Sequence, residues 1–73
     1  MAATVTTVKV RMSRRGLNTP AVARTFDVHP LTVRRWIADG NFAAALIGRS
    51  FTIDPDSFAT YMLTRGVEIV WTD

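Results

Sequence analysis

Residues 31–37, Leu31-Thr32-Val33-Arg34-Arg35-Trp36-Ile37 (LTVRRWI), follow directly on His29-Pro30. Val33, Trp36 and Ile37 stand at i, i+3 and i+4, so in a helix they share one face. Thr32, Arg34 and Arg35 fall elsewhere, which leaves one stripe to bury and adjacent cations to offer to a phosphate backbone. His29 can cap such a helix, and Pro30 suits its first position, where a missing N–H costs nothing. Gly40 is a natural stop. These signals predict a helix from about Pro30 to Asp39.

The same logic applies upstream. In Asn18-Thr19-Pro20, Thr19 is read as the N-cap and Pro20 as the first helical residue of a helix running to Phe26. Val22, Ala23 and Phe26 form its inner stripe, and the small Ala23 lets a second helix cross closely. Asp27-Val28-His29 becomes a tight turn with Val28 as its apolar plug, and Leu17 tucks into the core ahead of the first helix. Two short helices joined by a tight turn, the second one basic, read as a helix-turn-helix.

Downstream, Ala44-Ala45-Leu46-Ile47 and Ser50-Phe51-Thr52-Ile53 flank Gly48-Arg49, a hairpin signal of the type II′ kind with Arg49 at its tip. Asp54-Pro55 repeats the cap-plus-proline pattern and opens a helix to Thr64 that stops at Gly66. Phe58, Tyr61 and Met62 are its buried face. Residues 4–12 alternate through Val8, Val10 and Met12 and predict a strand, followed by the basic turn Ser13-Arg14-Arg15-Gly16. Val67-Glu68-Ile69-Val70-Trp71 is also β-prone. Left unpaired it would invite aggregation, so it must pair with residues 5–11 or with another protomer. Trp71 either packs on the domain or anchors a contact between protomers. The expected class is α+β: a small winged helix-turn-helix in a single domain over 1–73, its core at 17–64 and strand-like segments at 4–12 and 67–71.

Composition narrows the function. The 73 residues are 48% hydrophobic, which argues against disorder. There is no cysteine and one histidine, so disulfides and thiolate metal sites are excluded and no cofactor is expected. No apolar run approaches the roughly 20 residues of a membrane span. With no apolar signal core at the start, a cytoplasmic, nucleoid-associated location is expected. A His-carboxylate pair, a nucleophile motif and a phosphate-binding glycine loop are all missing, so no enzyme is expected. The net charge of +3 is unevenly spread. Lys9, Arg11, Arg14, Arg15, Arg24, Arg34 and Arg35 face a single acid, Asp27, in residues 9–35. In residues 36–73, Arg49 and Arg65 are outweighed by Asp39, Asp54, Asp56, Glu68 and Asp73. A basic half joined to an acidic half suggests one face for a polyanion.

Residues 17–62, through LNTPAVARTFDVHPLTVRRWIADGNF (17–42) and LIGRSFTIDPDSFATYM (46–62), resemble the excisionase-type branch of the MerR-like DNA-binding domains. That pattern runs Leu, two Ser/Thr-like positions, an Ala pair, a Leu-Gly-Val turn, a Ser-capped helix with Thr-(Val/Ile)-Arg-Arg-Trp, a Gly, then a wing with Ile-Gly-Arg and a last helix. Asp27 stands where the pattern has Gly, His29 where it has Ser, Thr25 where it has Leu, and Ser50 where a second Arg is common. The resemblance implies sequence-specific binding of double-stranded DNA, with the second helix in the major groove and the wing on the adjacent minor groove or backbone. It also implies the role of a phage excisionase, or recombination directionality factor. Such a protein binds repeated sites cooperatively, self-associates on DNA and bends it so that a site-specific integrase excises. A small phage or bacterial transcription regulator, repressor-like, would use the same surface. A protein-interaction module docking through Val67–Trp71 and the wing is the reading from another class.

Arg34 and Arg35 are the first candidates for DNA contact, since bidentate arginine on guanine is the commonest specific pairing. The alternative is solvated charge paired with Asp39. Thr32 can bond a phosphate or touch a thymine methyl. His29 can donate to a phosphate at the helix N-terminus or simply cap it. Arg49 would meet phosphate or minor groove from the wing. Thr19 could bond phosphate through its hydroxyl if it does more than cap, and Arg24 could reach the backbone from the outer side of the first helix. Lys9, Arg11, Arg14 and Arg15 form a basic arm or strand that extends phosphate contact or follows the minor groove; alternatively they are a charged edge that deters aggregation. Trp36 is read as core, because Val33 and Ile37 share its face.

Overall fold

Each of the three described helices has a proline in its first turn, and beyond each lies a residue with positive φ. The computed structural model describes residues 7–73. In chain order the elements are β1 (Val8–Met12), α1 (Thr19–Phe26), α2 (Pro30–Ala38), β2 (Ala44–Ile47), β3 (Ser50–Ile53), α3 (Pro55–Thr64) and β4 (Val67–Trp71). The class is α+β. The first residues of the strand expected over 4–12 lie outside the described residues. No described helix is long and apolar enough to cross a membrane.

The helix starts need two corrections. Asn18, not Thr19, caps α1: its backbone is extended and its side-chain oxygen accepts from the Ala21 N–H at 2.9 Å. Asparagine is among the best N-caps, and adjacent Asn and Thr compete for that role. Thr19 is instead the first helical residue, 4% exposed, with no hydrogen-bond partner for its Oγ1 among the described residues. Asp54 holds the cap position of α3 but makes no side-chain cap bond. Its carbonyl accepts the Phe58 N–H at 3.0 Å, and its N–H donates to the Ala43 carbonyl at 3.0 Å. The expected cap at His29 is present: Nδ1 accepts from the Leu31 N–H at 3.1 Å.

The helix ends explain the tight turns. Gly40 has φ 76°, its N–H bonds the Ile37 carbonyl, and the Asn41 N–H bonds the Trp36 carbonyl. This paired arrangement satisfies carbonyls that the end of α2 would otherwise leave free. Asp27 does the same for α1 at φ 53°, with its N–H on Arg24 and the Val28 N–H on Ala23. Aspartate enters the left-handed region more readily than most residues but less so than glycine. The resulting three-residue turn carries the half-buried Val28 back onto the core.

That core contains Leu17, Val22, Ala23, Val33, Phe42, Ile53, Phe58 and Met62, and it extends past residues 17–64 to Met12 and Ile69. Phe26, Trp36, Ile37 and Tyr61 pack against it half-buried. Phe58 has no exposure, and the rings of Phe26 and Phe42 meet it near edge-on at 6.1 and 5.1 Å.

Two small sheets frame the helices. β1 and β4 pair in parallel, with Val10 beside Ile69 and Met12 beside Trp71, so the tail pairs within the chain. Lys9 lies opposite Glu68, a favourable cross-strand placement of unlike charges. β2 and β3 form an antiparallel hairpin joined through Gly48-Arg49. Gly48 has φ 64° while Arg49 does not have a positive φ, as a type II′ turn requires. The hairpin is tied down where the Ile53 N–H donates to the Leu17 carbonyl at 2.9 Å and Asn18 bridges Thr52.

Truncating Phe58 to Ala is expected to cost about 3–5 kcal/mol, most of what a domain of this size has. A urea titration followed by far-ultraviolet circular dichroism checks it; a loss under about 1 kcal/mol would contradict the packing described. Asp27→Gly is expected to raise the urea midpoint, corresponding to roughly 0.5–1 kcal/mol, because it relieves a left-handed non-glycine residue.

Candidate nucleic-acid interface

A helix advances about 100° per residue, so burial along α2 shows which way each side chain faces. Val33 is fully buried and Trp36 and Ile37 are half-buried. The exposed residues between the cap and Ala38 are Pro30, Leu31, Arg34, Arg35 and Ala38. Leu31, Arg34, Arg35 and Ala38 stand at i, i+3, i+4 and i+7, a continuous outward strip two turns long. Thr32 is not on it. It is half-buried on the Trp36 flank, the far side from Arg34.

Leu31 was not among the sequence candidates, yet it is 55% exposed on the first turn of this strip. Its signal was legible: Leu31, Arg34 and Arg35 carry the same i, i+3, i+4 spacing as the buried stripe, displaced around the helix. An exposed aliphatic there offers an apolar surface beside two guanidinium groups.

Electrostatics at the helix starts favour anions. Neither α1 nor α2 has an acidic residue in its first turn, whereas α3 has Asp56. The partial positive charge at the start of α2 is therefore uncompensated by a side chain. His29 uses Nδ1 as the cap acceptor, so in the neutral imidazole the proton sits on Nε2 of an exposed ring and is free to donate outward.

The remaining candidates separate. Arg24 is exposed on α1 and Arg49 is exposed at the hairpin turn. Beside Arg49 the hairpin presents Leu46 and Ile47, both strongly exposed, so its tip combines one cation with two aliphatics. Thr19 is removed from the contact set by its burial, which leaves its hydroxyl unable to reach a phosphate.

Arg14 and Arg15 are exposed but do not belong to a free arm, because β1 is committed to its pairing with β4. They sit in the β1–α1 turn, held against the residues after β4. The Arg14 guanidinium lies 5.5 Å from the centroid of the Trp71 ring. The Asp73 carboxylate accepts from the Ser13 hydroxyl at 2.6 Å, the Arg14 N–H at 2.9 Å and the Arg15 N–H at 3.4 Å. These bonds, the Ser13 hydroxyl foremost and the Arg14 N–H next, hold the Asp73 carboxyl below its ordinary value of 3.8. Comparison of the chain with protein-family models, with curated proteins and with solved structures found no match.

A carboxyl depressed on folding contributes stability that is present above its unfolded value and is lost as pH falls through the folded one. The Arg14 and Arg15 amide resonances are therefore expected to stay constant from neutrality down to about pH 4 and to move only below it. A two-dimensional nitrogen–proton NMR pH series checks this. Movement centred well above that range would contradict the contacts.

Proposed function

We propose that this chain is a winged helix-turn-helix protein that binds double-stranded DNA in a sequence-specific way and serves as an excisionase. In this reading α2 enters the major groove and the β2–β3 hairpin is the wing on the adjacent backbone. The observation that carries it is the outward strip Leu31, Arg34, Arg35 and Ala38, on a helix whose opposite side is committed to the core. Arg34 and Arg35 point to different sides of that strip. One can read a guanine edge while the other grips the backbone. Leu31 replaces Thr32 as the candidate for a thymine methyl. His29 and Arg49 supply phosphate contacts at the start of α2 and at the wing, and Arg24 a third from α1.

The excisionase role is supported by the residue pattern over 17–62 and by the size of the reading surface. One nine-residue helix touches few bases, so useful specificity needs two or more protomers on repeated sites. The exposed aliphatics Leu46 and Ile47 beside the wing tip suit contact between neighbours on such an array. A transcription regulator would share every one of these contacts. Reconstituted excision by the partner integrase, with and without this protein, separates the two; equal excision without it removes the recombination role.

For DNA binding itself, roughly four to six phosphate contacts per protomer should give a log–log salt slope of about −4 to −5. The double variant Arg34→Ala/Arg35→Ala is expected to weaken duplex binding by at least about tenfold, given about 1–3 kcal/mol for a good arginine–base pair, while the thermal transition stays within a few degrees. Fluorescence anisotropy on a labelled duplex provides the measurement. Unchanged affinity in that variant would overturn the assignment.

A further inference from the structure

The β1–α1 turn is built like an anion site. The Arg14 backbone N–H and the Ser13 hydroxyl converge on one carboxylate, and the Arg15 N–H is shared between that carboxylate at 3.4 Å and the Ser13 hydroxyl oxygen. Ser13 Oγ also accepts from the Arg15 N–H at 3.0 Å, which fixes the hydroxyl in place to donate. Gly16 follows at φ 65° and lets the chain turn away. Successive N–H groups in a turn make a concavity that takes oxyanions without regard to their carrier. The two residues that supply the N–H groups also supply cations, and Arg14 is steadied over Trp71.

The occupant is Asp73 of the same chain, an exposed residue. The two strands also have ties that do not depend on it. The Thr72 N–H already bonds the Met12 carbonyl at 2.9 Å, and the β1–β4 register is complete at Met12 and Trp71. The carboxylate is therefore an internal anion on an open donor set flanked by arginines.

We propose that the Ser13–Arg15 turn is a phosphate-oxyanion cradle and that Asp73 is its built-in competitor, displaced when a phosphate binds. Identifying that phosphate with the DNA backbone rests on the function proposed above; the cradle itself does not. In the free protein the contact screens the basic turn. On a duplex, one backbone phosphate replaces the carboxylate, and the Asp73 charge swings out.

The site is tested with inorganic phosphate and with dimethyl phosphate, following the Arg14 and Arg15 amides by NMR. In Asp73→Ala both amides are expected to shift saturably, at lower phosphate than in the unaltered chain. A competitor that fills the cradle nine-tenths of the time reduces apparent affinity about tenfold. The Thr72–Met12 bond reports that the turn is still in place. In the unaltered chain, the Asp73 carboxyl carbon resonance should move with phosphate and not with chloride at equal ionic strength. No saturable amide shift in Asp73→Ala, or identical responses to phosphate and chloride in the unaltered chain, would overturn the cradle.

A duplex titration identifies the source. Asp73→Ala should bind several-fold tighter at nearly the same salt slope, because the cradle takes one phosphate in both chains, whereas Glu68→Gln, with the same change of charge, should leave the affinity nearly unaltered. Phosphate binding with no gain on the duplex assigns the cradle to free phosphate. If the unaltered chain binds no duplex at all, the function above fails, and the phosphate arm still decides the cradle.

Discussion

The ring of Phe58 sits where α1, α3 and the loop after α2 converge. Phe26 comes to it from the end of α1 and Phe42 from the loop after α2, and Phe42 also leans on Tyr61 one turn further along α3. Edge-to-face aromatic contacts are directional, so they fix angle as well as proximity. A domain this small buries few large side chains, and one fully enclosed phenylalanine ties two helices and a loop together. The orientation of α2 follows, because α2 is suspended between the turn carrying Val28 and the loop carrying Phe42.

With α2 held at both ends, its solvent side is determined by Val33, Trp36 and Ile37. Those three occupy less than half of the circumference. The rest is free for Arg34, Arg35 and Leu31, whose exposure carries no penalty beyond that of one aliphatic side chain. Stability and the proposed recognition thus draw on different sides of the same nine residues. Substitutions on the outward strip can vary without disturbing the packing behind it.

Where local chemistry dictates structure, the amino-acid sequence was readable. The prolines, the glycines and the i, i+3, i+4 stripes placed α1, α2, α3 and the hairpin within a residue or two. The exchange of Asn18 for Thr19 as the cap shows the limit of that reading: two adjacent capping residues are equivalent until the backbone of one turns helical. Phe42 left no trace because it lies on no periodic element, and only the tertiary fold brings it to Phe58. The partner of the tail could not be chosen either, since parallel pairing of β1 and β4 depends on how the helices between them close. For the candidate site, Arg34, Arg35, Arg24, Arg49 and His29 were picked out by charge and position, and the fold leaves all five exposed. Leu31 was missed because attention to charge overlooks an apolar residue on a polar face. The seat of Asp73 was missed because it joins positions 58 to 60 residues apart.

The parallel sheet also has a consequence in time. A ribosome releases this chain from its N-terminal side, so β1 emerges long before β4 exists. Until then Met12 and Val10 have no strand beside them. The helices and the hairpin are local and can form first, whereas closing a ring of some 60 residues adds an entropic penalty that grows only as the logarithm of loop length. β4, made well after β1, is therefore also late to dock, and by the same reasoning early to leave when the protein opens. Its release would uncover Met12 and the basic turn together.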